Sequence, residues 1–277
     1  ILTGRNVASV TPLSNAAEIF SVPHQCTDTA LPPGAADRID AQARRFAADH
    51  ALAQAPTGIG FCMALNARYL AQVPRFDTAF GRGYGEEVDW CQKTRALGGH
   101  HLCQHGLFVE HRGGQSFGAD HKAGLVAAHN RIVSQRYPAY DAEVRRFIEG
   151  DPIRTPRLAL GLAWAAAVAG DAPVRVFLGH SMGGGAEIAL RRRVKDSVAR
   201  LGAAVVLRVG GRRRWQVELH GSAGLLSGET DDFACLAALL SALPKRHIVY
   251  SCGVGDRDPA DLPTRLAALL RAGLDTL

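Results

Sequence analysis

Apolar and polar positions along the chain form short apolar runs separated by amphipathic stretches, the pattern of strands alternating with helices. Val7 to Thr11 reads as a strand ending at Pro12. After a loop holding Pro23, Pro32 and Pro33, Ile39, Ala43, Phe46 and Ala47 share one face of a helix from about Ala35 to Ala53. Gly60 to Leu65 reads as a buried strand, with Asn66 the N-cap of a short helix through Val73. Behind the turn Gly81-Arg82-Gly83-Tyr84-Gly85 the pattern predicts a helix from Glu86 to Leu97, stopped by Gly98-Gly99. A short strand over Leu107–Glu110 and helices over Asp120–Arg136 and Tyr140–Glu149 follow.

Composition changes after Asp151-Pro152. An Ala/Leu-rich helix from Pro156 to Ala169 leads into Gly170-Asp171-Ala172-Pro173, which reads as a boundary. Beyond it come a strand (Val174–Leu178), a helix (Gly184–Arg200) and two strands (Ala203–Arg208, Trp215–His220). A helix (Asp232–Leu243), a strand (His247–Ser251) and a helix (Pro259–Ala272) complete the series. Alternation of this kind predicts an α/β layer structure, with no internal repeat.

Apolar residues at 47% and charged residues at 21% exclude a disordered or fibrous chain. The net charge is +6, and 28 of the 32 basic residues are Arg. Beside so much Ala and Gly, this reads as compositional bias rather than a nucleic-acid footprint. The runs Arg191-Arg192-Arg193 with Lys195, and Arg212-Arg213-Arg214, lack interleaved aromatics and a nucleic-acid module; they read as solvated faces, with an anionic membrane surface or nucleic acid as the alternatives. Six Cys without a CxxC pair point to reduced thiols in the cytoplasm. The longest apolar stretch, Leu158 to Gly170, has 13 residues, short of the roughly 20 that span a bilayer. With no signal peptide and no initiator Met, the chain reads as a piece of a longer cytoplasmic protein, able to meet the inner face of the membrane.

The sharpest chemical signal is Gly83-Tyr84-Gly85-Glu86-Glu87-Val88-Asp89-Trp90-Cys91: three carboxylates at a helix start, where the helix dipole favours negative charge. Glu86 and Asp89 share a helical face and Glu87 points elsewhere. Phe76-Asp77 and Phe80-Gly81 precede this motif, and Val109-Glu110-His111-Arg112-Gly113-Gly114-Gln115-Ser116-Phe117 follows it. Together with Ser9-Val10-Thr11-Pro12-Leu13-Ser14-Asn15 and Thr57-Gly58-Ile59-Gly60-Phe61-Cys62-Met63, these segments closely resemble the second half of family 2 glycosyltransferases of the GT-A fold. The resemblance implies a general base at Glu87, where the family more often has Asp. It implies that Glu86 and Asp89 orient acceptor hydroxyls or hold the base, and that Asn15, Gly58, Gly60 and Trp90 line the substrate side. His111, in H-x-G-G-x-S-F, is implied as a ligand of a divalent metal, Mn or Mg. The family's Asp-x-Asp metal motif does not occur in the first 150 residues, and Asp256-Arg257-Asp258 has the spacing after the wrong strand.

Three other constellations compete for chemistry. His100, His101, Cys103 and His105 are zinc-ligand types without a standard zinc spacing. Gly179-His180-Ser181-Met182-Gly183 satisfies the G-x-S-x-G nucleophile elbow, with His220 or His247 as base and Asp231, Asp232 or Asp256 as orienter. That reading lacks the preceding strands a hydrolase sheet needs. The overlapping Gly183-Gly184-Gly185-Ala186-Glu187, after a strand and heading a helix, resembles the opening of family 4 glycosyltransferases of the GT-B fold, and Leu207-Arg208-Val209 and Trp215 to Leu219 continue it. The resemblance implies that Gly183, Gly184, Gly185 and Glu187 approach substrate, a backbone-amide site of the kind helix N-termini provide.

The expected fold class is therefore α/β: an incomplete GT-A-like domain over 1–154, a helical linker over 155–172 and a partial Rossmann-like segment over 173–277. The resemblances imply part of a two-headed glycosyltransferase that takes a nucleotide-sugar donor and a glycan or glycolipid acceptor, as in surface polysaccharide synthesis. An esterase built on Ser181 and a non-catalytic carbohydrate-binding remnant are the alternatives.

Overall fold

A computed structural model describes residues 1–4, 6–46, 52–81, 83–112 and 119–270. The chain divides into two compact units, Ile1–Thr29 with Asp49–Ile153, and Ala30–Ala48 with Arg154–Leu277. The class is α/β, with helices on mixed sheets.

In the first unit β1 (Val7–Leu13), β2 (Ala53–Ala55), β3 (Ala64–Leu65) and β4 (His100–Phe108) form a sheet in the order β2-β4-β1-β3. β1 and β4 are parallel; β2 and β3 pair antiparallel at the edges. Its helices are α2 (Ala67–Gln72), α3 (Glu86–Ala96), α4 (Ala119–Arg136) and α5 (Tyr140–Gly150), and α1 (Ala35–Phe46) belongs to the second unit. Asn66 caps α2 as expected, its Oδ1 accepting from the Arg68 N–H at 3.0 Å. α3 presses Trp90 and Cys91 onto Ala8 and Tyr69, with Met63, Leu65 and Val73 at the margin. A tight turn at Leu97–Gly99 joins α3 to β4, so the helix runs back along the strand. The start of α3 and the C-terminal ends of β1 and β4 therefore share one edge of the sheet, the edge where open α/β sheets place their ligands.

Two strand expectations change. Gly60 to Leu65 is not one strand: only Ala64–Leu65 pairs. The backbone donors just before it are taken by side chains, Gly58 N–H by Cys91 Sγ (3.3 Å) and Ile59 N–H by Thr11 Oγ1 (3.3 Å), which leaves no strand to bind there. The strand expected at Leu107–Glu110 is instead β4, beginning at His100. Its ladder with β1 slips in register after Pro12, opposite Gln104, where β1 has no N–H to give.

In the second unit β5 (Val174–His180), β6 (Ala203–Val209), β7 (Trp215–Gly221), β8 (Gly224–Thr230) and β9 (Arg246–Tyr250) are ordered β8-β7-β6-β5-β9. β6 and β9 run parallel to β5, and β7 and β8 return antiparallel. α7 (Gly185–Leu201) covers β5 and β6, burying Leu190 and Val194 on Phe177, Ala204 and Val206. α6 (Arg154–Ala169), expected as part of a linker, is instead a layer of this unit. Leu158, Ala159, Leu160, Leu162 and Ala165 are completely buried, and it packs on the sheet, on α1 and on α8 (Phe233–Leu240). A helix apolar on every side has to be enclosed in this way. Asp232 caps α8 through the Ala234 N–H (2.8 Å), and α9 (Leu262–Leu270) closes the described chain.

Candidate functional site

The three carboxylates at the start of α3 divide into different roles. Gly85, the residue before the helix, has φ +115°, a conformation that favours glycine, and a Cβ there would meet Phe80 at 2.9 Å. His129 holds the preceding turn by bonding its Nδ1 to the carbonyls of Gly83 (3.0 Å) and Tyr84 (2.7 Å), its ring edge-on to Phe80. The turn is thus fixed from α4, a partner more than forty residues away that no local pattern announces. Arg82 and residues 113–117, within the motifs quoted above, lie outside the described residues.

Asp89 is buried and fully engaged. Lys93 Nζ lies 2.6 Å from its Oδ2, while Arg136 Nη1 and the Tyr137 hydroxyl donate to Oδ1 at 2.8 Å each. Burial alone raises its pKa, but these donors outweigh it and hold the carboxyl below its ordinary value. Lys93 and Arg136 also reach Asp77, at 3.3 and 2.8 Å. Expected to orient an acceptor or hold the base, Asp89 instead ties α3 to the end of α4.

Glu86 is the opposite case. Its Oε2 is buried without a hydrogen bond, and burial, with the Glu87 charge adding to it, raises its pKa. Glu87 lies at the surface side. Its Oε2 accepts from the Gly85 N–H at 3.1 Å, and its carboxyl group lies against exposed Gly60, 3.4 Å from where a Cβ would stand. Burial pushes the Tyr140 phenol far up, and Glu18, Cys91 and Glu87 add to that shift.

His111 follows the end of β4. Asn15 clips its backbone, accepting from the His111 N–H at 2.8 Å and donating to the His111 carbonyl at 3.2 Å. The Nδ1–H donates to Ala16 O at 2.5 Å, which sets the tautomer and leaves the lone pair on Nε2. Phe61 stacks on the ring, centroids 5.2 Å apart. Consecutive residues Gly60 and Phe61 thus touch Glu87 and His111 respectively, and one turn joins the two. Phe61 and His129 were not singled out in the sequence; only their proximity in the fold gives them a role.

Other expected positions are structural. Trp90 does not face substrate: it is buried, donating Nε1–H to Val73 O at 2.9 Å. Gly58 is likewise buried, where a Cβ would meet Met63 Sδ at 2.3 Å and Ser9 Oγ at 3.0 Å. In β4 the pleat turns His101, Cys103 and His105 inward and His100 toward Gln54. His101 accepts from Ser9 Oγ at 2.7 Å and donates to the Cys91 carbonyl at 2.9 Å. Among the described residues no three His, Cys, Asp or Glu side chains converge on a common point.

In the second unit Gly183, Gly184 and Gly185 head α7 in the open, with no atom within 4 Å of a Cβ built on any of them. Glu187 is not free for substrate. Arg208 grips it through Nη1 (2.7 Å) and Nη2 (3.1 Å), Arg191 adds a contact at 2.8 Å, and its pKa falls to about 2. Arg208 also binds Glu218 (2.7 Å), whose other oxygen meets His220 (3.0 Å).

Ser181 follows the C-terminal end of β5. His220 pairs with Ala204 and His247 with Arg175, at the opposite ends of β6 and β5, roughly 17–20 Å away at strand rise. Among the described residues no histidine hydrogen-bonds the Ser181 hydroxyl. Asp231 is spent on Arg213 and the Arg214 N–H (both 2.7 Å), Asp232 on its cap, and Asp256 on Arg214 (3.0 Å).

No helix among the described residues is long and apolar enough to cross a membrane. Compared with protein-family models, curated proteins and solved structures, the chain shows no match.

Proposed function

We propose that the chain is part of a two-headed glycosyltransferase whose first unit, the acceptor half of a GT-A-like domain, carries the general base. The observation that supports this is the turn at Gly60–Phe61, which seats the Glu87 carboxylate on one side and the His111 ring on the other. A sugar hydroxyl is a poor nucleophile near neutral pH. In this reading Glu87 takes its proton as the oxygen bonds to the anomeric carbon of a nucleotide-sugar, with inversion. The Gly85 N–H orients the carboxylate, and half-buried Glu86 flanks it in the chain. A divalent cation, if bound, would stabilise the charge that develops on the leaving diphosphate. His111 would hold it as one ligand, because its Nδ1 is anchored on Ala16 O and its Nε2 keeps a lone pair. The second unit, whose open glycines head α7, is read as the start of a GT-B head, and the acceptor as a glycan or glycolipid at the cytoplasmic face.

Glu87→Gln is the test, assayed in the natural full-length protein with nucleotide-sugar donors. Transfer should fall by roughly 10²–10⁴-fold with donor binding retained, the usual loss for a general base. Transfer within a few-fold of wild type removes Glu87 from the role and the proposal with it. His111→Ala should shift the Mn or Mg titration while leaving the fold intact.

A further inference from the structure

Beyond the glycosyltransferase reading, the second unit holds a trough of about 640 Å³ beside α7 that none of the motifs explains. α7 covers β5 and β6 but stops short of the outer strands. Register puts Val206, Glu218 and His220, and Leu225 on neighbouring strands of the same sheet face. The helix side supplies Leu190, Val194 and Val198. The helix side is thus apolar, the sheet side sets Val206 among Arg208, Glu218 and His220, and exposed Leu225 (53%) forms the far wall.

Charge around the trough is uneven. Glu187 is held by Arg208 and Arg191, and Glu218 by Arg208 and His220. Lys195, one turn beyond Arg191 on the rim, has no carboxylate within ion-pair distance among the described residues. With three Lys and Arg against two Glu in the lining, one positive charge is left uncompensated when His220 is neutral. We infer that the trough binds a small amphiphile with a single negative charge, its apolar tail along Val198 and Leu225 and its anionic head at Lys195. An elongated apolar body suits the volume, within the ~300–1,000 Å³ usual for ligand pockets. The uncompensated cation selects the sign of the head.

The test uses the full chain and three probes of equal tail length: dodecanoate, dodecanol and dodecyltrimethylammonium, titrated by calorimetry below their micelle concentrations. Dodecanoate should bind at one site, at least tenfold tighter than either of the others. Lys195→Glu and Leu225→Asp each change an exposed side chain, so the fold should survive, as circular dichroism would verify. Each should weaken dodecanoate at least tenfold, and added salt should weaken the wild type but not Lys195→Glu. Equal binding of all three probes, or dodecanoate affinity unchanged in both variants, overturns the inference.

Discussion

His101 illustrates how one buried side chain sets a pH limit on the first unit. It is completely buried between Ser9 and the Cys91 carbonyl, and burial lowers its pKa to about 4. The unfolded chain takes up this proton near pH 6.5, while the folded chain takes it up only near pH 4. Stability from this group is therefore full above pH 6.5 and declines as pH falls through that window, by about 3 kcal/mol in all. Urea titrations at pH 7 and pH 5.5 should differ by about 1 kcal/mol, above the range in which the unfolded chain's carboxylates, Glu187 and Asp77 among them, take up protons. A flat profile between those pH values would refute the assignment. Glu86 should behave in the reverse sense: its charge is disfavoured by burial, so Glu86→Gln should raise the melting temperature at pH 7. An unchanged or lower value would mean that the carboxylate has a partner. From sequence these residues gave a correct location but not their division of labour. The acidic run at a helix start was legible, yet Asp89 owes its engagement to Arg136 and Tyr137, which only the folded chain brings near.

Elements were legible where glycine turns bound them or where an apolar run or alternation marks them. α3 lies between Gly85 and Gly98, α7 between Gly184 and Gly202, β5 and β6 are apolar runs and β7 alternates, so each falls close to its expected position. β4 was mostly missed because its inward positions are His101, Cys103 and His105, polar types whose alternation imitates a metal motif. β8 was missed because Gly224, Ser227 and Gly228 dilute its apolar pattern and its second face is open. Within α7, Leu190 is the residue that fastens the helix: it sits where a Cβ on Gly179 would come within 2.7 Å of its Cδ2. Leu190→Ala should cost about 2–5 kcal/mol, read as faster amide exchange along β5 and β6. Exchange rates unchanged there would show that α7 is not what holds those strands.

At the scale of the molecule, the division into units does not follow chain order, and the sequence held no sign of this. Residues Ala30–Ala48 belong with Arg154–Leu277, so a cut after Ile153, where the second unit resumes, leaves α6 without α1. A protein of residues 154–277 alone should bind a hydrophobic dye and aggregate, and joining residues 30–48 to its N-terminus should reverse both. Cooperative unfolding of the shorter protein without dye binding would show that α1 is dispensable. The same interleaving has a consequence in time. α1, with Ile39 and Phe46 on its apolar face, leaves the ribosome well before Arg154, the first residue of the helix that covers it. At about 5–20 residues per second the wait is on the order of ten seconds, far longer than the microseconds in which a helix forms. The first unit, by contrast, has its last residue, Ile153, just as α6 begins to emerge. The nascent chain therefore carries the apolar face of this segment unpacked while the first unit nears completion, an interval in which a chaperone has something to hold.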